Sequence, residues 1–138
     1  MDQRHVIAIV DDDPSIRETT KDLLDSAGYA SVAFASAERF RSSKRLRNFA
    51  CLIVDMRMPG MTGMELHRHL VSAGHRIPTI LITAYPDERM RASAAKAGIL
   101  CYLAKPFTSE ALLGCVDSAL RGMHGDDGGG GEPPRNVA

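Results

Sequence analysis

The chain has 138 residues and is 44% hydrophobic, the size and composition of one globular domain. Lys and Arg number 17, as do Asp and Glu, which excludes a global basic field for holding nucleic acid. No apolar stretch approaches the roughly 20 residues of a membrane span. Met1 to His5 leads straight into an apolar run without a signal-peptide pattern. Cys51, Cys101 and Cys115 lie inside apolar segments without C-x-x-C spacing, as expected of reduced core thiols in a cytoplasmic protein.

Strand-like and helix-like segments alternate. Residues 5–10, His-Val-Ile-Ala-Ile-Val, read as a buried strand that runs into Asp11-Asp12-Asp13. Asp13 is placed to cap a helix that begins at Pro14 and stops at Gly28. Ala30–Phe34 alternates weakly, as a second strand. Ser36 can cap a second helix over roughly 37–47. Residues 50–54 form a third strand, which ends at Asp55. After a loop over 56–61, Thr62 and Glu65 have the spacing of a capping box for a third helix ending at Gly74. Residues 78–82 are a fourth strand ending at Thr83. A fourth helix spans about 87–97, Leu100–Leu103 a fifth strand, and Thr108 caps the last helix. Residues 122–138, rich in Gly and Pro, are expected to be a disordered tail.

Five β-α units imply an α/β fold, a parallel sheet with helices on both faces. In the flavodoxin-like strand order 2-1-3-4-5, strands one and three are neighbours, and ligands bind at the carboxyl ends of the strands. Asp11, Asp12, Asp13 and Asp55 would then converge. Such crowding calls for a divalent cation, a lysine or a proton. Thr83, Tyr102 and Lys105-Pro106-Phe107 belong to the ends of strands four and five, and Gly63 to the turn after Asp55.

The acidic cluster, the stretch Asp55-Met-Arg-Met-Pro-Gly-Met-Thr-Gly63, Thr83-Ala84 and Lys105-Pro106-Phe107 together resemble the receiver domain of two-component response regulators. The resemblance covers about residues 4–121. It implies a (βα)5 three-layer sandwich with Asp55 as phosphoacceptor. It further implies Mg²⁺, or Mn²⁺, held by Asp12 and Asp55 directly, by Asp11 through water and by the Arg57 backbone carbonyl. Lys105 and Thr83 would contact the phosphoryl group, Thr83 and Tyr102 would form the switch pair, and Tyr102 would fill space that Thr83 vacates. The Lys105–Pro106 bond would be cis. Arg57 and Tyr85 stand at loop positions where phosphate lifetime is tuned. A sensor histidine kinase or histidine phosphotransfer protein would be the donor. A downstream protein would read the surface of helix 4, strand 5 and helix 5, with homodimerisation on phosphorylation as an open option. Direct nucleic-acid binding and membrane association are not expected, nor is turnover of a separate substrate.

Other readings stand beside these. Asp13 is expected to be only a helix cap. His67, His69, His75 and His124 read as surface histidines. Arg39, Arg41, Lys44, Arg45 and Arg47 read as a solvated basic face, with an acidic partner as the alternative. A phosphorylation-independent scaffold is one functional rival. A haloacid-dehalogenase-type phosphatase is another: Asp11-x-Asp13 superficially fits it, but the later acidic pair is missing and Asp55 stays unexplained. With nothing but the Gly-rich tail after the last helix, the chain reads as a single-domain regulator or a fragment of a longer one.

Overall fold

The computed structural model describes residues 5–44 and 46–124, with side chains as far as Arg121. Five parallel strands, β1 (Val6–Val10), β2 (Ala30–Phe34), β3 (Phe49–Asp55), β4 (Thr79–Thr83) and β5 (Cys101–Ala104), lie in the order β2-β1-β3-β4-β5. Helices α1 (Pro14–Ser26), α2 (Ala37–Arg41), α3 (Gly63–Ser72), α4 (Glu88–Lys96) and α5 (Ser109–His124) connect or follow them. This is the flavodoxin-like arrangement expected from the alternation together with the family resemblance.

Side-chain alternation along the strands divides the core into two layers. Ile7, Ile9, Cys51, Ile53, Ile80, Ile82, Cys101 and Leu103 pack with residues of α1 and α5 such as Leu24, Leu112 and Val116. Ala8, Val10, Leu52, Val54, Leu81 and Tyr102 pack with Phe40 of α2, Leu66 and Leu70 of α3 and Ala94 of α4. The register aligns Val10 with Val54, Val54 with Leu81 and Leu81 with Tyr102. One residue further along, Asp55 lies opposite Ile82, and Asp11 has just left β1. The functional side chains therefore share one edge because the strands are parallel and in step.

Local signals fix the helix starts. Asp13 Oδ1 accepts from the amides of Ser15 (2.9 Å) and Ile16 (3.4 Å), and Pro14 opens α1. Thr62 and Glu65 form a reciprocal capping box at 3.1 and 2.9 Å. Ser36 accepts from the Arg39 amide, and Thr108 from the Ala111 amide. At the end of α4 the chain turns through Gly98 (φ +90°), whose amide donates to the Ala95 carbonyl while that of Ile99 donates to Ala94. The ends of α1 and α3 repeat this pattern.

Two expectations need correction. The second helix was read over roughly 37–47, yet α2 ends at Arg41 and a 3₁₀ turn follows at Leu46–Asn48. Only Ala37 and Phe40 of α2 reach the core, and the Ser42 hydroxyl donates back to the Glu38 carbonyl at 3.0 Å. The basic stretch beyond offers nothing to bury before Leu46. Arg39, Arg41, Lys44 and Arg47 are exposed, and Arg45 lies outside the described residues. The second correction is His67, read as a surface residue and found 5% exposed. It falls on the inward stripe of α3 with Gly63, Leu66 and Leu70. Of the other histidines, His69 is exposed and His75 half-buried, while the His124 side chain lies outside the described residues. Helix α5 continues through residues 122–124 of the segment read as a tail, and 125–138 lie outside the described residues.

Gly63 sits where α3 meets the end of β3. A Cβ there would lie 2.7 Å from the Asp55 carbonyl oxygen and 2.7 Å from Leu81 Cδ1. Gly63→Ala is expected to destabilise the domain by roughly 1–3 kcal/mol, the usual range for an overpacked site, as read from the midpoint of urea unfolding.

Candidate functional site

Asp11, Asp55, Thr83 and Lys105 are delivered by the ends of β1, β3, β4 and β5. The ladder continues past the strands: the Met56 amide donates to the Ile82 carbonyl at 2.7 Å, and that of Lys105 to the Thr83 carbonyl at 2.8 Å. Asp11, Asp12 and Asp55 each offer a carboxylate oxygen within 4.8 Å of the others. Asp11 and Asp55 are buried, and Asp12 is exposed at the mouth. Lys105 Nζ lies 3.1 Å from Asp55 Oδ1 and 3.6 Å from Asp11 Oδ2. The Lys105–Pro106 peptide bond is cis.

The electrostatics follow from this crowding. Burial holds the Asp11 and Asp55 carboxyls above their ordinary range, and the neighbouring carboxylates push the same way. Lys105 and, at Asp11, the Asp13 amide pull in the opposite direction. At Lys105 burial works against the ammonium, but the hydrogen bond to Asp55 and the charges of both aspartates outweigh it and raise its pKa. Three carboxylates against one ammonium leave the pocket short of positive charge.

The donor set fits a hard divalent cation. It consists of oxygens alone, two from buried carboxylates and one from an exposed carboxylate at the entrance.

Asp13 stands apart as the cap of α1. The Thr83 hydroxyl, 2% exposed, accepts from the Tyr85 amide at 3.0 Å, which leaves its own proton for a further partner. Tyr102 is also 2% exposed and already packed inward, where its hydroxyl accepts from the Asp87 amide at 3.2 Å. At the rim, the Arg57 guanidinium lies 4.6 Å from the centre of the Tyr85 ring, and Tyr85 is 65% exposed. This contact joins the β3–α3 and β4–α4 loops.

Sequence reasoning missed several participants. Arg17 Nη1 donates to the Asp11 carbonyl at 2.8 Å and so braces the loop that carries the acidic pair. Asp87 and Arg91 of the α4 region both engage Tyr102; the Arg91 guanidinium lies 5.4 Å from its ring centre. The spacing of Arg17 one helical turn after Asp13 was a usable signal. The contacts of Tyr102 with Asp87 and Arg91 cross between elements and left none.

Comparison with known proteins gives a consistent picture. The response regulator receiver domain family matches residues 7–117. The response regulator protein TmoT of Ectopseudomonas mendocina is 40% identical over 120 residues, 87% of this chain and 54% of that protein. The transcriptional regulatory protein FixJ of Bradyrhizobium diazoefficiens is 33% identical over 83% of this chain and 56% of its own length. The chain thus spans about half the length of the curated relatives it matches. Among solved structures, the response regulator StyR superposes with a TM-score of 0.80 at 41% identity, over 86% of this chain and 60% of that one. The FixJ-N structure gives 0.78 at 33% identity, over 88% and 97%. With the fold, the matched span and relatives of this similarity in agreement, the chain belongs to the response regulator receiver domain family.

Proposed function

We propose that the chain is a phosphorylation-activated signalling switch of a two-component system. It would accept a phosphoryl group on Asp55 from a histidine kinase or a histidine phosphotransfer protein, and so control a protein partner in the cytoplasm. The observation that carries this reading is the placement of Lys105 Nζ against a buried aspartate within a three-carboxylate cluster. Asp55 Oδ attacks phosphorus in line, the P–N bond of the donor phosphohistidine breaks, and its electron pair leaves with the imidazole. Asp12 and Asp55, with Asp11 through water and the Arg57 carbonyl, would hold Mg²⁺. That ion supplies the positive charge that lets an anionic donor approach an anionic nucleophile. Lys105 adds a point charge for the phosphoryl oxygens. The Thr83 hydroxyl donates to one of them.

Tyr102 is already inside, so the switch would act through the bond between its hydroxyl and the Asp87 amide rather than through a large swing of the ring. A shift of Thr83 toward the phosphoryl group would draw on Tyr85 and the loop leading to Asp87. The reading surface would be α4, β5 and α5.

Incubation with Mg²⁺ and acetyl phosphate, followed by mass spectrometry of peptides, is expected to place the phosphoryl group on Asp55 and to show none in Asp55→Asn. A label on Asp11 with turnover of a phosphoester would favour a phosphatase, and no label a scaffold.

The stacked Arg57 and Tyr85 shield the rim from attacking water. Tyr85→Ala is expected to shorten the lifetime of the phosphorylated form several-fold, by about 1 kcal/mol of barrier. An unchanged rate of phosphate loss would remove this role.

The raised aspartates set a pH dependence for the metal-free protein. A carboxyl whose folded pKa exceeds its unfolded one lowers stability where it is ionised, and the loss is recovered as pH falls through the raised pKa. Lys105, also raised, contributes fully below its unfolded pKa and loses that contribution as pH climbs through the folded one. Asp11→Asn keeps an acceptor for the Asp13 amide. It is expected to raise Tm near pH 7, with the gain shrinking in acid. Calorimetry across pH checks both the sign and the trend.

A further inference from the structure

Helix α4 is weakly seated. Along its length only Ala94 is fully buried, with Met90 and the following Ala97 partly packed against the core. Its fixed points are at the ends. At the start, the Asp87 amide donates to the Tyr102 hydroxyl, and Arg91 lies over the Tyr102 ring while its Nη1 pairs with the largely exposed Glu88.

The other end is held differently. The Ala97 carbonyl, one of those a helix terminus leaves without an internal partner, lies 2.9 Å from His67 Nε2. A carbonyl only accepts, so Nε2 donates. With Nε2 the donor, the same ring's Nδ1 is left to accept from the Thr79 hydroxyl, whose Oγ1 lies 3.2 Å away and shares its one proton with the Ile77 carbonyl at 2.9 Å. The Leu100 amide adds a bond to the Thr79 carbonyl at 2.9 Å. One buried imidazole thus joins α3, the first residue of β4 and the last turn of α4.

We infer that His67 is a positioning residue that clamps the C-terminal end of α4 to the sheet and leaves the N-terminal end as the part free to respond. The two ends differ in kind. The first is held by a single hydrogen bond of 3.2 Å to the buried Tyr102 and by a cation–π contact from the half-buried Arg91. The second is held by a network with partners on three elements, built on the buried His67 and Thr79, where loss of the donor strands a half-buried carbonyl. Local opening should therefore start at Asp87 and fade toward Ala97. The clamp itself is a property of the unmodified protein. Its regulatory consequence, that α4 pivots about its C-terminal end, rests on phosphorylation of Asp55.

Amide hydrogen exchange without a phosphodonor tests the clamp in wild type, His67→Leu, His67→Gln and Tyr102→Phe. His67→Leu is expected to speed exchange at residues 97–99 about tenfold, with less than about a twofold change at 88–91. His67→Gln retains a donor for the Ala97 carbonyl and is expected to restore most of the protection. Tyr102→Phe is expected to show the reverse pattern, faster only in the first turn. Unchanged exchange at 97–99 in His67→Leu overturns the inference, as does an increase spread evenly over α4 and the strands. If His67→Leu does not fold, a His67→Gln protein as exposed at 97–99 as at 88–91 overturns it too. With Mg²⁺ and acetyl phosphate added, the exchange change should be confined to the first turn of α4. Absence of a label on Asp55 would refute the phosphorylation reading and leave the phosphate-free result standing.

Discussion

The ammonium of Lys105 stands between two carboxylates that the sheet forces together. Parallel strands in step bring the ends of β1 and β3 side by side, so Asp11 and Asp55 cannot avoid each other. Water, which would screen them on a surface, is largely excluded by burial. Lys105 follows β5, two strands away from β3, and its Nζ still reaches both carboxylates. Much of the surrounding structure serves this convergence. Arg17 braces the β1–α1 loop, Asp13 turns the chain away into α1, and Gly63 lets α3 begin against the Asp55 carbonyl.

The two layers of the sheet are unequal. On one face α5 covers the strands with a long apolar stripe, and α1 adds Leu24 and the partly buried Leu23. On the other, three shorter helices share the task, and α4 contributes least. A ligand shifts a conformational equilibrium only by the difference in its affinity for the two states, so the proposed switch would act most readily on the element with least packing to lose. Helix α4 meets that condition, and it adjoins Thr83 through the loop that carries Tyr85 and Asp87.

The strands and most caps were legible because their signals are local. An apolar run ending in aspartate, a Pro after a capping Asp and a Thr-x-x-Glu spacing each act within a turn of chain. The early end of α2 was less visible: Ser42 and the basic stretch after it carry no strong breaker, and the helix fails for lack of anything to bury. His67 was misread because its pairing depends on Thr79 and Ala97, 12 and 30 residues away. The helical stripe of Gly63, Leu66 and Leu70 marks the position as inward. The site residues were named through a family resemblance. The inward packing of Tyr102 and its hold on Asp87 could be seen only in three dimensions.

Cys51, Cys101 and Cys115 all belong to the layer between the sheet and α1 and α5. Burial pushes the Cys51 thiol up, with Cys101 adding to the effect, so thiolate chemistry is suppressed while the layer stays closed. The native thiols are thus a built-in clock for one half of the molecule: an alkylating reagent would count openings on the α1–α5 side and stay silent to motions of α4. A cysteine introduced on the outer face of α4 would react on its own timescale, so a single labelling course could date the two halves separately.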